Sequence, residues 1–191
     1  MGSEMCIRDR VKGVHRRCKG AYGVVAMING LGLLAFRDPN GIRPLVYGKR
    51  TNDQGEIEYM VASESVALDV IGFELIDDVA PGEAVFIDND GQLHVQQCAD
   101  TVKKTPCIFE YVYFARPDST VEGRNVYEIR KKIGGELARE SHPEADLVVP
   151  VPDSGVPAAI GYAQESNLPF ELGIIRNHYC LLYTSPSPRD S

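Results

Sequence analysis

Short runs of alternating apolar and polar residues fill the first half of the chain, a pattern typical of strands with one buried face. Asn29-Gly30 separates two such runs and favours a hairpin turn. The segment DNDG at residues 88–91 separates two more in the same way. A further bend lies at residues 37–41, which include a proline and a glycine. The pattern predicts an antiparallel sheet, whose strands are residues 21–28, 31–36, 43–48, 59–62, 83–87 and 92–96.

Polar side chains at these turns receive structural roles. Arg37, Asp38 and Arg43 are expected to pair around the bend rather than to bind a ligand. Residues 63–65 are expected to cap a short helix, with Glu64 as the capping carboxylate.

Residues 107–116, CIFEYVYFAR, are rich in aromatic and β-branched side chains and predict another strand. We expect Tyr111, Tyr113 and Phe114 to lie in a core between domains, because the acidic balance of the chain does not suit a base-stacking platform.

A run with helical spacing follows. Asn125 is placed to cap this helix, and Glu128 stands at the capping-box position. Residues 130–132, Arg-Lys-Lys, are assigned to its solvated face. The apolar face is predicted to consist of Val126, Ile129, Ile133 and Leu137.

Residues 145–159, ADLVVPVPDSGVPAA, combine a strand, a tight loop and a helix start. The nearly continuous apolar run at 146–151 is typical of a parallel strand covered on both faces. Asp153, Ser154 and Gly155 form the turn. The free N–H groups of the following helix favour an anion such as phosphate at this loop. A plainer alternative is that Asp153 or Ser154 only caps the helix.

The helix after this loop is predicted over residues 156–164, with Pro157 in its first turn. A second strand is predicted over residues 170–175, which completes a right-handed βαβ unit. The chain therefore passes from an antiparallel sheet to a parallel one, which indicates two domains of different class.

Composition limits the classes of function. The net charge of −7 argues against nucleic-acid binding. We see neither a membrane-spanning apolar run nor the apolar core of a signal peptide, so we expect a cytoplasmic protein. The five cysteines form no CxxC pair, so neither a disulfide framework nor a complete local metal site is predicted.

The two ends of the chain encode each other. Codons can be chosen for residues 2–9, GSEMCIRD, whose reverse complement encodes residues 180–187, CLLYTSPS. Such an inverted repeat resembles the adapter of a transposon-based sequencing library. We therefore expect residues 1–10 and 180–191 to be foreign tails outside the fold and to carry no functional residue.

Five blocks of sequence stand out along the chain. They are FRDPNGIRPL at 36–45, YMVASESVALD at 59–69, DVAPGEAVFI at 78–87, CIFEYVYFARPDS at 107–119 and VVPVPDSGVPAAIGYA at 148–163. Together, in this order, they closely resemble the amidophosphoribosyltransferase family, and the resemblance covers essentially all of residues 11–179. Singly the blocks are less specific, since RDPNGIRPL also resembles other class II glutamine amidotransferases such as asparagine synthetases.

The resemblance implies a fold of mixed α/β and α+β class. Residues 11–119 would be the C-terminal part of an N-terminal-nucleophile glutaminase domain with antiparallel β-structure. Residues 120–179 would be the start of a type I phosphoribosyltransferase domain with parallel α/β-structure.

The resemblance also implies the chemistry of the parent enzyme. Ammonia released from glutamine would displace magnesium-bound pyrophosphate from phosphoribosyl pyrophosphate. The product, 5-phosphoribosylamine, is that of the first committed step of purine synthesis. Mg²⁺ is the implied cofactor, and the parent is expected to be a homo-oligomer that binds neither nucleic acid nor a membrane.

The family pattern also assigns roles to individual residues. Asp153, Ser154 and Gly155 match the pyrophosphate loop, with Ser154 as the expected Mg²⁺ ligand. The family's nucleophilic cysteine is the mature N-terminal residue, so neither Cys6 nor Cys18 can replace it and no catalytic residue is assigned. We expect the chain itself to be inactive.

Cys107 matches one of the four ligands of a 4Fe-4S cluster that some family members contain. Its other implied role is that of an ordinary buried thiol. An alternative function for the whole chain is a non-catalytic protein that senses nucleotides or phosphoribosyl pyrophosphate through the same loop. A glutaminase of asparagine-synthetase type fits less well, because it does not account for the βαβ segment.

Overall fold

The computed structural model describes the backbone of residues 2–175 and the side chains of residues 7–175. The described residues divide into two compact units, which separate between Tyr127 and Glu128. The boundary predicted between residues 119 and 120 stays a prediction. None of the helices in this part of the chain is long and apolar enough to cross a membrane. The expected tail at residues 180–191 lies outside the described residues.

The first unit contains nine strands and two helices within its described residues. The strands are β1 Gly23–Ile28, β2 Gly32–Arg37, β3 Val46–Thr51, β4 Ile57–Ala62, β5 Glu74–Asp78, β6 Glu83–Asp88, β7 Leu93–Gln97, β8 Thr120–Val121 and β9 Arg124–Asn125. The α-helices are α1 Gly2–Arg17 and α2 Ser65–Val70.

Both predicted hairpins are confirmed, and they pair through β2 and β6 to form a four-stranded antiparallel sheet in the order β1-β2-β6-β7. In the first hairpin Ile28 faces Gly32, and Gly30 in the turn has a φ of 75°. Glycine adopts this left-handed conformation without steric cost, which is why the Asn-Gly turn fits here.

A second antiparallel sheet has the order β4-β3-β5, and β8 and β9 form a separate two-stranded hairpin. The prediction of one sheet is therefore wrong. At the bend over residues 37–41 the chain leaves the first sheet and enters the second. The side chains of Arg37 and Asp38 are buried there and bind the backbone of the bend, so β2 and β3 do not pair.

Helix α1 packs on the four-stranded sheet. Ile7 and Val11, one turn apart, join a core cluster with Leu34, Phe36 and Phe86. The structure thus places residues 2–10 in the first part of a helix, and the Ile7 side chain packs in the core. The expected foreign origin of residues 1–10 stays a prediction.

The strand predicted at residues 107–116 is wrong. The chain forms a π-helical turn, Glu110–Phe114, in which the N–H of Ala115 donates to the C=O of Glu110 at 3.0 Å. Glu110 is 4 % exposed and pairs with Arg43, and this buried contact overrides the strand propensity of the segment. Tyr113 and Phe114 are exposed rather than in a core.

The second unit contains α4, Val156–Ser166, and most of α3, Val126–Glu140. Gly134 and Gly161 bring the two helices into backbone contact, since an added Cβ on Gly134 would lie 1.8 Å from the C=O oxygen of Ala158. This close approach selects the packed face of α3. The solvated position predicted for Arg130 is therefore wrong, because that side chain is 2 % exposed.

The predicted apolar face of α3 is buried at its start, where Val126 is fully buried, but Ile133 and Leu137 are 40 % and 53 % exposed. Instead of the strands predicted at residues 146–151 and 170–175, the structure has a single parallel β-bridge between Val148 and Phe170. The expectation of a strand buried on both faces is wrong, since Val151 is 70 % exposed. A single bridge, with no further strand beside it among the described residues, cannot cover either face.

Candidate functional site

The polar loop at residues 153–155 follows the parallel bridge and leads into α4. The N–H of Val148 donates to the C=O of Pro169 at 2.8 Å, and the N–H of Glu171 donates to the C=O of Val148 at 3.0 Å. These bonds fix the backbone from which the loop departs. Asp153 is exposed, and Ser154 and Gly155 are half-buried.

Gly155 is required by the close packing of the loop rather than by an unusual φ. Its N–H donates to the C=O of Val151 at 3.2 Å, and an added Cβ would lie 2.7 Å from that same oxygen. Any larger residue would push the loop away from the preceding backbone.

Gly155 is also the N-cap residue of α4, so the residue at the cap position has no side chain. Capping by Asp153 or Ser154 stays a prediction. The N–H of Val156 donates to the C=O of Asp153 at 3.3 Å. Pro157 lies in the first turn as predicted. The positive end of the helix dipole thus meets the loop, an arrangement that suits an anion.

The loop supplies only part of the donor set that Mg²⁺ prefers. The Ser154 hydroxyl is a hard oxygen ligand, but Mg²⁺ sites in proteins combine such groups with carboxylates or phosphates. Within residues 7–175, whose side chains are described, no group of three or more His, Cys, Asp or Glu side chains is arranged to hold a metal ion. The described residues therefore do not form a complete Mg²⁺ site, and the role of Ser154 stays a prediction.

Cys107 is a half-buried free thiol just before the π-helical turn. Cys18 is exposed and Cys98 is buried, and burial raises the pKa of the Cys98 thiol. A 4Fe-4S cluster requires four thiolates, so Cys107 as a cluster ligand also stays a prediction.

The bend at residues 37–43 is held by buried polar contacts. Arg37 donates to the C=O groups of Gly41 and Val79 at 2.8 and 2.9 Å. The carboxylate of Asp38 accepts from the N–H of Ile42 at 3.0 Å. Arg37 Nε also donates to the C=O of Arg43, and the Asp38 carboxylate accepts from the N–H of Arg43 at 3.2 Å. The three residues therefore pair around the bend as predicted, through hydrogen bonds between side chain and backbone rather than through ion pairs.

Three carboxylates, which sequence reasoning missed as anchors, hold residues 110–122 to the two sheets. Glu110 pairs with Arg43, and Glu122 pairs with Arg37 and Lys104. A sequence signal existed for one of them, since Glu110 interrupts the apolar run CIFEYVYF and a charge within such a run needs a partner.

The third anchor is Glu64, which does not cap α2 as predicted. Its carboxylate instead accepts from the N–H of Arg116 at 2.8 Å and from the hydroxyl of Ser119 at 2.7 Å. Ser119 is fully buried, so its hydroxyl requires an acceptor, which the Glu64 carboxylate provides.

No family model matches the chain. Individual proteins do. The chain is 51% identical over 172 residues to the amidophosphoribosyltransferase of Pseudomonas aeruginosa, a match that covers 87% of this chain and 34% of that protein. It is 49% identical over 174 residues to the Escherichia coli amidophosphoribosyltransferase, with 88% and 34% covered. The chain belongs to the amidophosphoribosyltransferase family. It spans about a third of the length of these curated relatives.

Solved structures agree with the family. The glutamine phosphoribosylpyrophosphate amidotransferase from B. subtilis, complexed with ADP and GMP, matches with a TM-score of 0.85 and 40% identity over 96% of this chain and 39% of that chain. A second structure, described as the allosteric regulatory enzyme of purine biosynthesis, also has a TM-score of 0.85, at 39% identity, over 96% of this chain and 38% of that chain. The family and the fold class inferred from the five sequence blocks are thus confirmed.

Proposed function

We propose that this chain is a segment of an enzyme that makes 5-phosphoribosylamine from glutamine and phosphoribosyl pyrophosphate. The observation that carries the proposal is the loop at residues 153–155, within a chain about half identical to amidophosphoribosyltransferases. In this proposal the loop receives the pyrophosphate that ammonia displaces. The parent is a homo-oligomer in the cytoplasm and uses Mg²⁺.

In this proposal Gly155 allows the close turn that leads into α4. The positive end of the α4 dipole stabilises negative charge as it develops on pyrophosphate. The Ser154 hydroxyl and the exposed Asp153 carboxylate supply oxygen atoms at the mouth of the loop. When bound, Mg²⁺ would neutralise charge on the leaving pyrophosphate.

The chain by itself is expected to be inactive. No cysteine of the chain is assigned as the family's N-terminal nucleophile, and among the described residues the candidate pyrophosphate loop lacks a complete set of metal ligands. Glutamine hydrolysis or pyrophosphate release by the purified chain, above that of a mock preparation, would contradict this expectation.

The proposal is tested on the uninterrupted protein, whose gene can be recovered with long sequencing reads. Purified with Mg²⁺, it should consume glutamine and phosphoribosyl pyrophosphate in equal amounts and release pyrophosphate, as followed by a coupled pyrophosphate assay. Ammonia should replace glutamine. Tight binding of phosphoribosyl pyrophosphate without turnover would instead favour the sensing protein.

A further inference from the structure

The sequence contains two Asn-Gly pairs, Asn29-Gly30 and Asn40-Gly41, and the fold places them in different surroundings. A glycine has no side chain to shield its backbone nitrogen, so this nitrogen can approach the side-chain amide carbon of a preceding asparagine. Attack at that carbon expels ammonia, a reaction known as deamidation. Both residues must rearrange for the attack, so local structure decides which pair reacts.

Asn29 and Gly30 form the tip of the β1–β2 hairpin, and both residues are exposed. A Cβ added to Gly30 would meet no atom within 4 Å. Neither the Asn29 side-chain amide nor the Gly30 N–H forms a hydrogen bond to any residue that the structure describes. The turn is closed by a bond from the N–H of Leu31 to the C=O of Ile28 at 3.0 Å. The reacting atoms of this pair can therefore move while the sheet stays intact.

Asn40 and Gly41 lie in the bend between β2 and β3, where the corresponding atoms are held. The N–H of Gly41 donates to the C=O of Asp38 at 3.0 Å, and the N–H of Asn40 donates to the Asp38 carboxylate at 3.0 Å. The C=O of Asn40 accepts from the N–H of Thr105 at 2.8 Å. Gly41 is buried, and an added Cβ would lie 2.8 Å from Cγ of Pro81. This pair can rearrange only if the bend opens.

We propose that Asn29 is a deamidation site of the folded chain and that the bend protects Asn40. The Gly30 nitrogen forms a bond to Cγ of Asn29, the bond from Cγ to the amide nitrogen breaks, and the amide leaves with the Gly30 proton as ammonia. Water then opens the five-membered imide. Cleavage between the Gly30 nitrogen and Cγ gives aspartate, whereas cleavage between that nitrogen and the backbone carbonyl carbon of Asn29 gives isoaspartate. Water is the co-reactant, and no atom is oxidised or reduced.

Both products change the hairpin. Aspartate adds a negative charge at the turn. Isoaspartate routes the main chain through the side chain and so inserts one extra backbone atom between two strands whose register pairs Ile28 with Gly32. Within the described residues β1 is an edge strand that pairs with β2 alone. Isoaspartate should therefore loosen β1 and leave the pairing of β2, β6 and β7 in place.

The protection of Asn40 should be large. Opening the bend breaks the two hydrogen bonds that Asp38 accepts from this pair and the one that Thr105 donates to it. The two pairs have the same local sequence, so the difference in opening sets the difference in rate. We expect Asn29 to lose ammonia at least about tenfold faster than Asn40 in the folded chain.

The test is incubation of the folded full chain at neutral and mildly alkaline pH, followed by digestion with trypsin and mass spectrometry. The peptide of residues 20–37 carries Asn29, and the peptide of residues 38–49 carries Asn40 as an internal control. Deamidation should appear in the first peptide and become faster as pH rises, because the attacking nitrogen must lose its proton. A methyltransferase specific for isoaspartyl residues should label the same peptide.

Two controls separate the effect of the fold from that of the sequence. In urea the two peptides should deamidate at similar rates, because the bend no longer protects Asn40. Asn29→Gln should abolish the reaction in residues 20–37 and leave residues 38–49 unchanged, since the longer side chain would have to close a larger ring. In the isoaspartyl fraction, hydrogen exchange of β1 amides should become faster while the β6–β7 hairpin keeps its rates.

Three results would overturn the proposal. The first is deamidation of Asn40 as fast as that of Asn29 in the folded chain. The second is a ratio of the two rates that urea leaves unchanged, because the difference would then come from sequence alone. The third is an Asn29 that keeps its amide in the folded chain under conditions where the chain in urea loses it.

Discussion

Two adjacent glycines in α3 should respond to the same substitution with opposite signs. A Gly-to-Ala change inside a helix normally stabilises by about 0.5–1 kcal/mol, because alanine loses less backbone entropy on folding. From sequence alone, Gly134 and Gly135 are equivalent positions. The structure separates them, because only Gly134 lies in close contact with the backbone of α4.

The magnitude follows from the added Cβ. At Gly134 it would lie 1.8 Å from the C=O oxygen of Ala158, whereas real Cβ contacts are essentially never shorter than 3.0 Å, so the helices must separate by about 1.2 Å. Overpacking of this kind costs about 1–3 kcal/mol. At Gly135 the nearest atom is 3.9 Å away, an ordinary contact.

Native-state hydrogen exchange of α3 and α4 amides in the full chain measures both effects without assuming that the two units unfold together. We expect Gly134→Ala to lower the opening free energy by about 1–2 kcal/mol after the gain in helix propensity. Gly135→Ala should raise it by about 0.5–1 kcal/mol. A stabilised Gly134→Ala chain would refute the close packing of α3 on α4.

Two further predictions concern the carboxylate anchors. Arg43→Ala leaves the buried Glu110 without its ion-pair partner and should destabilise the first unit by about 1–3 kcal/mol in urea unfolding. Burial raises the pKa of Glu110, so this loss should grow as pH rises and the carboxyl ionises. Glu64→Ala removes the acceptor of the buried Ser119 hydroxyl and should lower the stability of the first unit by a similar amount. Hydrogen exchange of the Arg116 amide, which also donates to Glu64, should become faster.

The matched controls replace exposed residues that have the same charge as Arg43 and Glu64. Lys49→Ala and Glu74→Ala, both on exposed strand positions, should each change stability by less than about 0.5 kcal/mol. A loss in Arg43→Ala that is independent of pH would contradict the role of Glu110, and an unchanged Arg116 amide in Glu64→Ala would contradict that anchor.

Local sequence patterns correctly predicted the elements that depend only on neighbouring residues. The turns at Asn29-Gly30 and at residues 88–91, the start of α3 after Asn125 and the α4 helix with Pro157 in its first turn all depend on a few neighbouring residues, and the structure places them as expected. These elements could be predicted without the five sequence blocks, whereas the family and the fold class were inferred from the blocks and their order.

Long-range contacts account for the errors. The strand at residues 107–116 gave way to a π-helical turn because Glu110 pairs with an arginine 67 residues earlier. Arg130 is buried because glycines on α3 and α4 choose the packed face. Neither partner is visible in the periodicity of the sequence, which reflects only neighbours along the chain. At the candidate site, the same limit hid the backbone contact that makes Gly155 necessary.

The assignment of residues 153–155 as the pyrophosphate loop is tested most directly by Ser154→Ala in the uninterrupted protein. With ammonia in place of glutamine, kcat/KM for phosphoribosyl pyrophosphate should fall about 10²–10³-fold, because the loop loses the hydroxyl oxygen proposed to hold Mg²⁺; the loss of one group that stabilises a transition state has this size. Ser141→Ala should not change it, because Ser141 is exposed and only its backbone oxygen binds Tyr162. Equal kcat/KM values for Ser154→Ala and wild type would contradict the assignment.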